Sequence, residues 1–414
     1  MNVDAVYLDF SKAFDKVDHQ IVLDKLAQLG IGGQLLNWIK SFLLGRTQSV
    51  LVNGFLSEPV VVKYGVPQGS VIGPLLFLIL IGDINADLEH SFLSSFADDT
   101  RTAMGVSNLR DVSLLQSDLE KVYKWARNNN MLFNNKKLEV LRYGTDTNLK
   151  DETTYHCPDG SPIQEKECLR DLGVTMSNTA TFAEHINNTC QKARDMCSWI
   201  LRTFKSRAPE PMKTLWKTLV LPILDYCSQL WCPIKKGQIQ QLEAIQQYFT
   251  RKINLSERLT YWERLSKLKL YSLQRRRERY RIIYVWKILE ELVPNIGCGE
   301  DGGIKKLYSK IPTLANSAPA KIKHLREGSL SYHGSQLFNA LPKELRNLTE
   351  CTLDIFKSRL DKFLQKTGDL PQIPGYTSGR QTESNSLIHM IPTHNSVSRQ
   401  SPPMIGSAPA LPWH

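Results

Sequence analysis

Residues 3–10 alternate with a period of two, so that Val6, Leu8 and Phe10 share one face of a strand and Asp9 falls on the other. Residues 19–44 carry apolar positions at helical spacing. Gly30, Gly32 and Gly33 cut that run in two, and Trp38, Ile39, Phe42 and Leu43 give its later part an apolar face. Residues 50–52 and 60–63 read as two short strands bracketing an Asn53-Gly54 turn. The apolar run 74–81, behind the loop Gly65-Val66-Pro67-Gln68-Gly69, fits a helix or a buried strand equally well by period alone. Residues 94–102 fit a hairpin whose turn holds Asp98 and Asp99. Val112, Leu115, Leu119, Val122 and Ala126 mark an amphipathic helix over 111–128. From residue 182 the pattern is helical almost throughout, over 182–205, 211–230, 238–254 and 272–292, where Pro294 ends the last run. Strands and helices alternate first and helices follow, so the fold class is α+β with a mostly helical second part.

Composition narrows this picture. With 42% hydrophobic residues in 414, the chain can bury the cores of two or three domains. The longest apolar run is too short for a bilayer and no membrane association is expected. Asp4 and Asp9 interrupt the N-terminal apolar residues, which argues against a secretory signal and for an intracellular protein of the nucleus or cytoplasm. The eight cysteines are scattered, as expected of reduced thiols, and His156, Cys157 and Cys168 do not complete a zinc pattern. Residues from about 371 are rich in Ser, Pro, Gly, Asn and Thr, too poor in large apolar groups to offset the entropy of ordering, so 371–414 reads as a disordered tail.

The net charge of +11 is unevenly placed: residues 1–150 are nearly neutral, and residues 151–370 carry the excess. That second part suits a partner rich in phosphate. The first part holds acidic residues of another kind. Nucleotidyl transfer on divalent cations needs at least two carboxylates converging from separate chain segments, and Asp9 with the Asp98/Asp99 pair is such a set. Mg2+, with Mn2+ as an alternative, takes hard oxygen ligands and keeps waters and substrate phosphates, so two or three aspartates suffice.

The order of the surrounding segments resembles the reverse transcriptase family. Leu8-Asp9-Phe10-Ser11-Lys12-Ala13-Phe14-Asp15 resembles its first catalytic motif. Gly65-Val66-Pro67-Gln68-Gly69-Ser70 with Gly73-Pro74-Leu75-Leu76-Phe77 resembles its template- and nucleotide-positioning motif, and Phe96-Ala97-Asp98-Asp99 resembles its catalytic hairpin, with phenylalanine in place of the usual tyrosine. Phe133 to Lys137 is similar to the segment bearing a lysine near the incoming triphosphate, and Leu172-Gly173-Val174 to the primer-grip region. The Ser-Lys-Ala-Phe-Asp form, with Lys213 to Trp231 and Phe356 to Phe363, is similar to the jockey-type branch of non-LTR, LINE-type retrotransposons.

That resemblance implies a right-hand polymerase palm over 1–180 and a basic, thumb-like helical region over 181–370. It implies an RNA-directed DNA polymerase working on an RNA template, a DNA primer and deoxynucleoside triphosphates. Asp9, Asp98 and Asp99 would be the catalytic, metal-holding set. Phe14 would exclude a ribose 2′-hydroxyl, its plain alternative being a core aromatic. Gln68 and Gly69 would approach nucleotide or template, and Lys137 the triphosphate, the plain alternative for the lysine being a solvated surface side chain. Arg275, Arg276 and Arg279 cluster on one helix with interleaved aromatics and would track a phosphate backbone, or form a solvated face. The family places a fingers segment before the first motif, whereas Asp9 is the ninth residue here, so the reading expects an N-terminally truncated palm without fingers. Two other readings stay open: a catalytically inactive nucleic-acid-binding remnant that uses the basic region, and a poorly folded relic.

Overall fold

A computed structural model describes residues 2–144, 147–255, 257–293, 328–369 and 385–391. The chain divides into two compact units, Met1–Thr181 and Phe182–His414.

The first unit is built on β1 (Asn2–Leu8). Its N-terminal half is then completed by α1 (His19–Gln28), α2 (Gly33–Leu43), the two-residue strands β2 (Thr47–Gln48), β3 (Leu51–Val52), β4 (Phe55–Leu56) and β5 (Val60–Val61), and α3 (Gly73–Ile81). The strands β6 (Phe92–Phe96) and β7 (Asp99–Val106), α4 (Leu109–Asn128), β8 (Glu139–Tyr143), α5 (Thr147–Asp151), β9 (Gln164–Lys166), β10 (Cys168–Asp171) and β11 (Val174–Ser177) complete the unit. The main sheet runs β6-β7-β1-β8-β9, antiparallel except for the β8–β9 pair, so it is mixed rather than wholly antiparallel. Val6, Leu8 and Phe10 enter one core with Val22, Leu26, Leu76, Phe77, Leu115 and Leu119 from the helices. Only one face of the sheet is covered by these helices, which leaves the odd-numbered side chains of β1, Tyr7 and then Asp9 beyond its end, toward a cleft.

On the covered face Asp4 is fully buried, accepting from Arg142 Nε at 3.1 Å and from the Tyr155 hydroxyl at 2.8 Å. Arg142 also donates to the carbonyls of Lys150 and Thr153. Additional hydrogen bonds of this kind are what allow a buried ion pair to offset its desolvation. This group ties the centre of the sheet to the segment after β8.

The run 74–81 is a helix, with Pro74 in its first turn, where a missing N–H costs nothing. The turn at Asn53-Gly54, both with positive φ, closes at once on Phe55-Leu56, whereas Val60-Val61 pairs back with Thr47-Gln48. The two expected strands around that turn are therefore four short ones, because a two-residue Asn-Gly loop pairs its immediate neighbours.

The second unit begins with α6 (Ala183–Thr203), α7 (Pro209–Leu215), α8 (Leu221–Asp225) and α9 (Ser228–Trp231). The expected single helix over 211–230 is broken: a π-helical turn spans Trp216–Val220, Pro222 follows it, and Cys227 adopts a left-handed φ of 51°. Then come α10 (Lys236–Thr250), α11 (Tyr261–Leu268), with a Thr260/Glu263 capping box, and α12 (Leu273–Leu289). Trp286 of α12 stacks on Phe356 of the helix Leu353–Lys366 at 4.6 Å, in a core with Ile282, Phe338, Leu360 and Leu364.

Two expectations change in this unit. Within 371–414, residues 385–391 are described: Leu387 is fully buried, its N–H donating to Glu278 at 2.9 Å, and Asn385 donates to Asp369 at 2.7 Å. Leu387, with Ile388 and Ile391 packed on the same core, and two polar anchors thus dock a short helix, Leu387–Met390, that composition alone assigned to a disordered tail. The rest of that tail, and Pro294, lie outside the described residues. The second change concerns the arginines of α12. Arg275 is fully buried and donates to the carbonyls of Thr367 and Gly368, Arg276 pairs with Asp225 at 2.5 Å, and Arg279 pairs with Asp361 at 2.5 Å. These guanidinium groups are held inside the unit by partners 51 and 82 residues away, or by carbonyl oxygens, rather than turned toward a phosphate backbone.

Candidate active site

β1 ends at Leu8, and Asp9 follows on the open side of the sheet. The chain beyond it is clamped by residues 132–134: Ser11 N–H donates to the Leu132 carbonyl at 2.7 Å, Asn134 N–H donates to the Asp9 carbonyl at 2.8 Å, and Phe10 stacks on Phe133 at 4.5 Å. That clamp carries Lys137 to Asp9, with 3.2 Å between its ammonium and the nearer carboxylate oxygen.

The β6–β7 hairpin is tight. Phe96 pairs with Asp99, so Ala97 and Asp98 are the whole turn, and Asp99 is the first residue of the outgoing strand. Ala97 sits at φ 53°, a left-handed conformation that a residue with a Cβ adopts only under constraint. The expected turn holding both carboxylates thus holds Asp98 alone. Asp99 is exposed, yet partial desolvation first, then the charges of Asp98 and Asp9, push its carboxyl above the ordinary aspartate value. Carboxylates from two separate segments therefore share one electrostatic neighbourhood. Among the described residues, however, no three His, Cys, Asp or Glu side chains stand together as a closed metal-ligating cluster.

Asp9 and Asp99 line a cleft of about 530 Å³ with Tyr7, Arg101, Lys136, Lys137 and Glu139 from the sheet side. Residues 169–172, from the incoming strand β10 and the tip of the β10–β11 hairpin, form its other wall. Arg101 binds both the Asp171 carboxylate and the Ser94 hydroxyl, which ties this hairpin to β6 and β7. The hairpin turn is Leu172-Gly173, with φ 44° and 86°. Two successive positive φ values match the twist of a two-residue hairpin loop, and leucine at the first of them is strained.

A second pair of loops is stapled beside this cleft. Gly65 N–H donates to the Val17 carbonyl at 2.7 Å, and Val66 N–H donates to the Phe14 carbonyl at 2.9 Å. Gln68 donates to the Asp15 carboxylate at 2.9 Å, and Phe14 packs against Phe77 at 4.7 Å. A Cβ on Gly65 would lie 2.7 Å from the Asp15 carbonyl oxygen, so only glycine permits this approach. Phe14, Gln68 and Gly69 are together in this staple but are not among the residues lining the cleft.

Residues 4–176, nearly all of this unit, match the family described as reverse transcriptase (RNA-dependent DNA polymerase). Over this unit the chain is similar to reverse transcriptases. Its relatives include the RNA-directed DNA polymerase from the mobile element jockey of Drosophila melanogaster, 29% identical over 60% of this chain and 28% of that protein. The probable RNA-directed DNA polymerase from transposon BS of the same organism is 26% identical over the same shares. The jockey polymerase of Drosophila funebris is 27% identical, again over 60% and 28%. The chain thus spans about 28% of the length of the curated relatives it matches. Among solved structures, apo telomerase from Candida tropicalis aligns at 11% identity with a TM-score of 0.38, over 69% of this chain and 44% of that one.

In this unit the sequence pattern missed Tyr7, Arg101, Glu139 and Asp171. Their signal was register: Tyr7 lies opposite Arg101 on one side and Glu139 on the other. Strand pairing is what converts those three residues into one row, and it is invisible until the order of strands is known. Among the described residues of the whole chain, no helix is long and apolar enough to cross a membrane.

Proposed function

We propose that the chain acts as an RNA-directed DNA polymerase, the first unit being a polymerase palm and the helices after residue 182 a thumb-like region. The observation that carries this reading is that Asp9 and Asp99, from separate segments, line one cleft, with Asp98 next to Asp99 in the hairpin turn, in a region that matches the reverse transcriptase family. Carboxylates close enough for the charges of Asp98 and Asp9 to raise the proton affinity of Asp99 are a donor set that a divalent cation neutralises, and an incomplete protein ligand set leaves room for substrate phosphates. Asp9, Asp98 and Asp99 would hold Mg2+ or Mn2+, which when bound supply activation of the primer 3′-oxygen and charge stabilisation of the leaving pyrophosphate.

Lys137, now against Asp9, would exchange that carboxylate for the triphosphate of a deoxynucleotide and neutralise it there. Phe14, fixed by Phe77, would close the sugar site against a 2′-hydroxyl, and Gln68 and Gly69 would bear on nucleotide or template. The Leu172 tip would support the primer end on the opposite wall. Deoxynucleotide incorporation onto a DNA primer paired with an RNA template, compared between the parent chain and Asp98→Asn/Asp99→Asn, tests this reading.

A further inference from the structure

With Arg275, Arg276 and Arg279 held by internal partners, the positive charge of the second unit must be sought elsewhere. Residues 199–207 and 248–269 carry nine Lys and Arg against two Glu, most of the chain's net charge of +11 in two short segments. Arg202, Lys205, Arg251, Lys252, Arg258, Lys267 and Lys269 are exposed.

The fold draws these segments to one end of the helical unit. Arg207 caps the C-terminus of α6 through the carbonyls of Phe204 and Leu201, and its own carbonyl accepts from Asn254 N–H at 2.9 Å, joining the end of α6 to the end of α10. Arg264 of α11 reaches back to the Thr250 hydroxyl, where the nearby Arg251 charge and burial disfavour its own. Cations thus crowd where two helix C-termini, α6 and α10, also meet. Among the described acids Glu263 is used in the α11 cap, Glu257 meets Lys267, and Glu210 lies within reach of the Lys269 charge.

Aromatic rings stand among these charges. Trp199 and Phe204 are 46% and 37% exposed and touch edge to face at 6.0 Å. Tyr248 is 46% exposed beneath the Lys252 ammonium at 5.6 Å. Exposed rings occur elsewhere on this chain as well, and what sets these apart is that they stand among exposed cations, whereas phosphate contacts alone require no rings. Cations that follow a backbone, with rings on which bases stack, form the pairing that suits an unpaired polynucleotide.

We propose that this end of the second unit, built from the C-termini of α6 and α10 and from α11, binds single-stranded nucleic acid, separately from the carboxylate cleft. Lys205, Arg251 and Lys252 follow phosphates, and Trp199, Phe204 and Tyr248 stack on bases.

The test is fluorescence anisotropy of the whole chain with labelled 15-nucleotide single-stranded RNA, single-stranded DNA and a duplex, across a salt series. Both single strands bind more tightly than the duplex; equal affinity assigns backbone and stacking alone, and an RNA preference adds contact with the 2′-hydroxyl. Lys205→Ala/Arg251→Ala/Lys252→Ala weakens binding and makes the log–log salt dependence shallower by about 2, since three phosphate contacts are lost. Trp199→Ala and Tyr248→Ala each weaken binding by between about 5- and 100-fold, with little change in salt dependence. Asp98→Asn/Asp99→Asn binds as the parent does, whatever its polymerase activity. All these side chains are at the surface, so the variants melt as the parent does; Lys252→Ala alone serves if the triple variant does not. Parent-like affinity and salt dependence in the triple and aromatic variants would overturn the proposal. So would preference for the duplex, or capture by anionic phospholipid vesicles without capture of either single strand.

Discussion

The approach of Gly65 to Asp15 gives a prediction whose parts can be separated. Gly65→Ala places a Cβ 2.7 Å from the Asp15 carbonyl oxygen and 2.9 Å from its carbonyl carbon and Cα, all backbone atoms that cannot swing away. The loop must open by at least several tenths of an ångström, which at overpacked positions costs about 1–3 kcal/mol. The φ of 86° adds about 1–2 kcal/mol for any residue with a Cβ. Gly69, in the same loop at φ 81° with nothing within 4 Å of a built Cβ, carries the conformational cost without the collision. Gly65→Ala should therefore lose about 2–5 kcal/mol and Gly69→Ala about 1–2 kcal/mol. Urea titrations followed by the fluorescence of a single tryptophan retained in the first unit read the difference. Equal losses in the two variants would refute the steric half of the reasoning and, with it, the claim that the two loops are stapled through this glycine.

Other outcomes follow from the same structure. Asp99 is held above its ordinary value, so the folded chain binds that proton more tightly than the unfolded chain, and stability falls as pH rises through that window. Asp99→Asn should melt higher than the parent at neutral pH, with the difference closing as the pH drops into the carboxylate range; a difference that widens toward acid contradicts this. Asp118 behaves oppositely: burial pushes it up, but hydrogen bonds from His90, Ser91 and Glu89 outweigh that and leave it below the usual value. Its contribution is present above the ordinary aspartate range and is lost as pH falls through the lowered value, so Asp118→Ala should cost about 1–3 kcal/mol at neutral pH and less in acid, read from urea midpoints at both. Arg277 is buried with none of its three guanidinium nitrogens hydrogen-bonded, whereas Arg276 pairs with Asp225. Arg277→Met should melt at or above the parent temperature and Arg276→Met below it; equal decreases would show that the buried charge is stabilising.

Much of the first unit was legible because its signals are local. Alternation placed Asp9 opposite Val6 and Leu8, the break at Gly30–Gly33 separated α1 from α2, and the α4 stripe at three- and four-residue steps is the face that packs on the sheet. Periodicity could not decide residues 73–81, since this helix is apolar all round, its exposed Leu75 and Leu78 included, and has no polar face to reveal its period. The largest change came at α12, where a row of arginines reads as a phosphate-binding face only while Asp225, Asp361 and the Thr367 carbonyl are unknown. Those partners are distant in sequence, and nothing local distinguishes a solvated arginine from one satisfied within the fold. The Leu387 helix shows the converse, since a short apolar run, Leu387, Ile388 and Ile391, docks within a polar tail where Glu278 and Asp369 accept from the Leu387 N–H and Asn385.

The measurement that bears most directly on function is primer extension by the 414-residue chain on an RNA template, with Mg2+ or Mn2+, beside Asp98→Asn/Asp99→Asn. Cation-dependent incorporation of deoxynucleotides by the parent, lost in the double variant while template-primer binding persists, is the predicted result. Binding by both chains with incorporation by neither would contradict catalysis by this chain and leave it a nucleic-acid-binding protein.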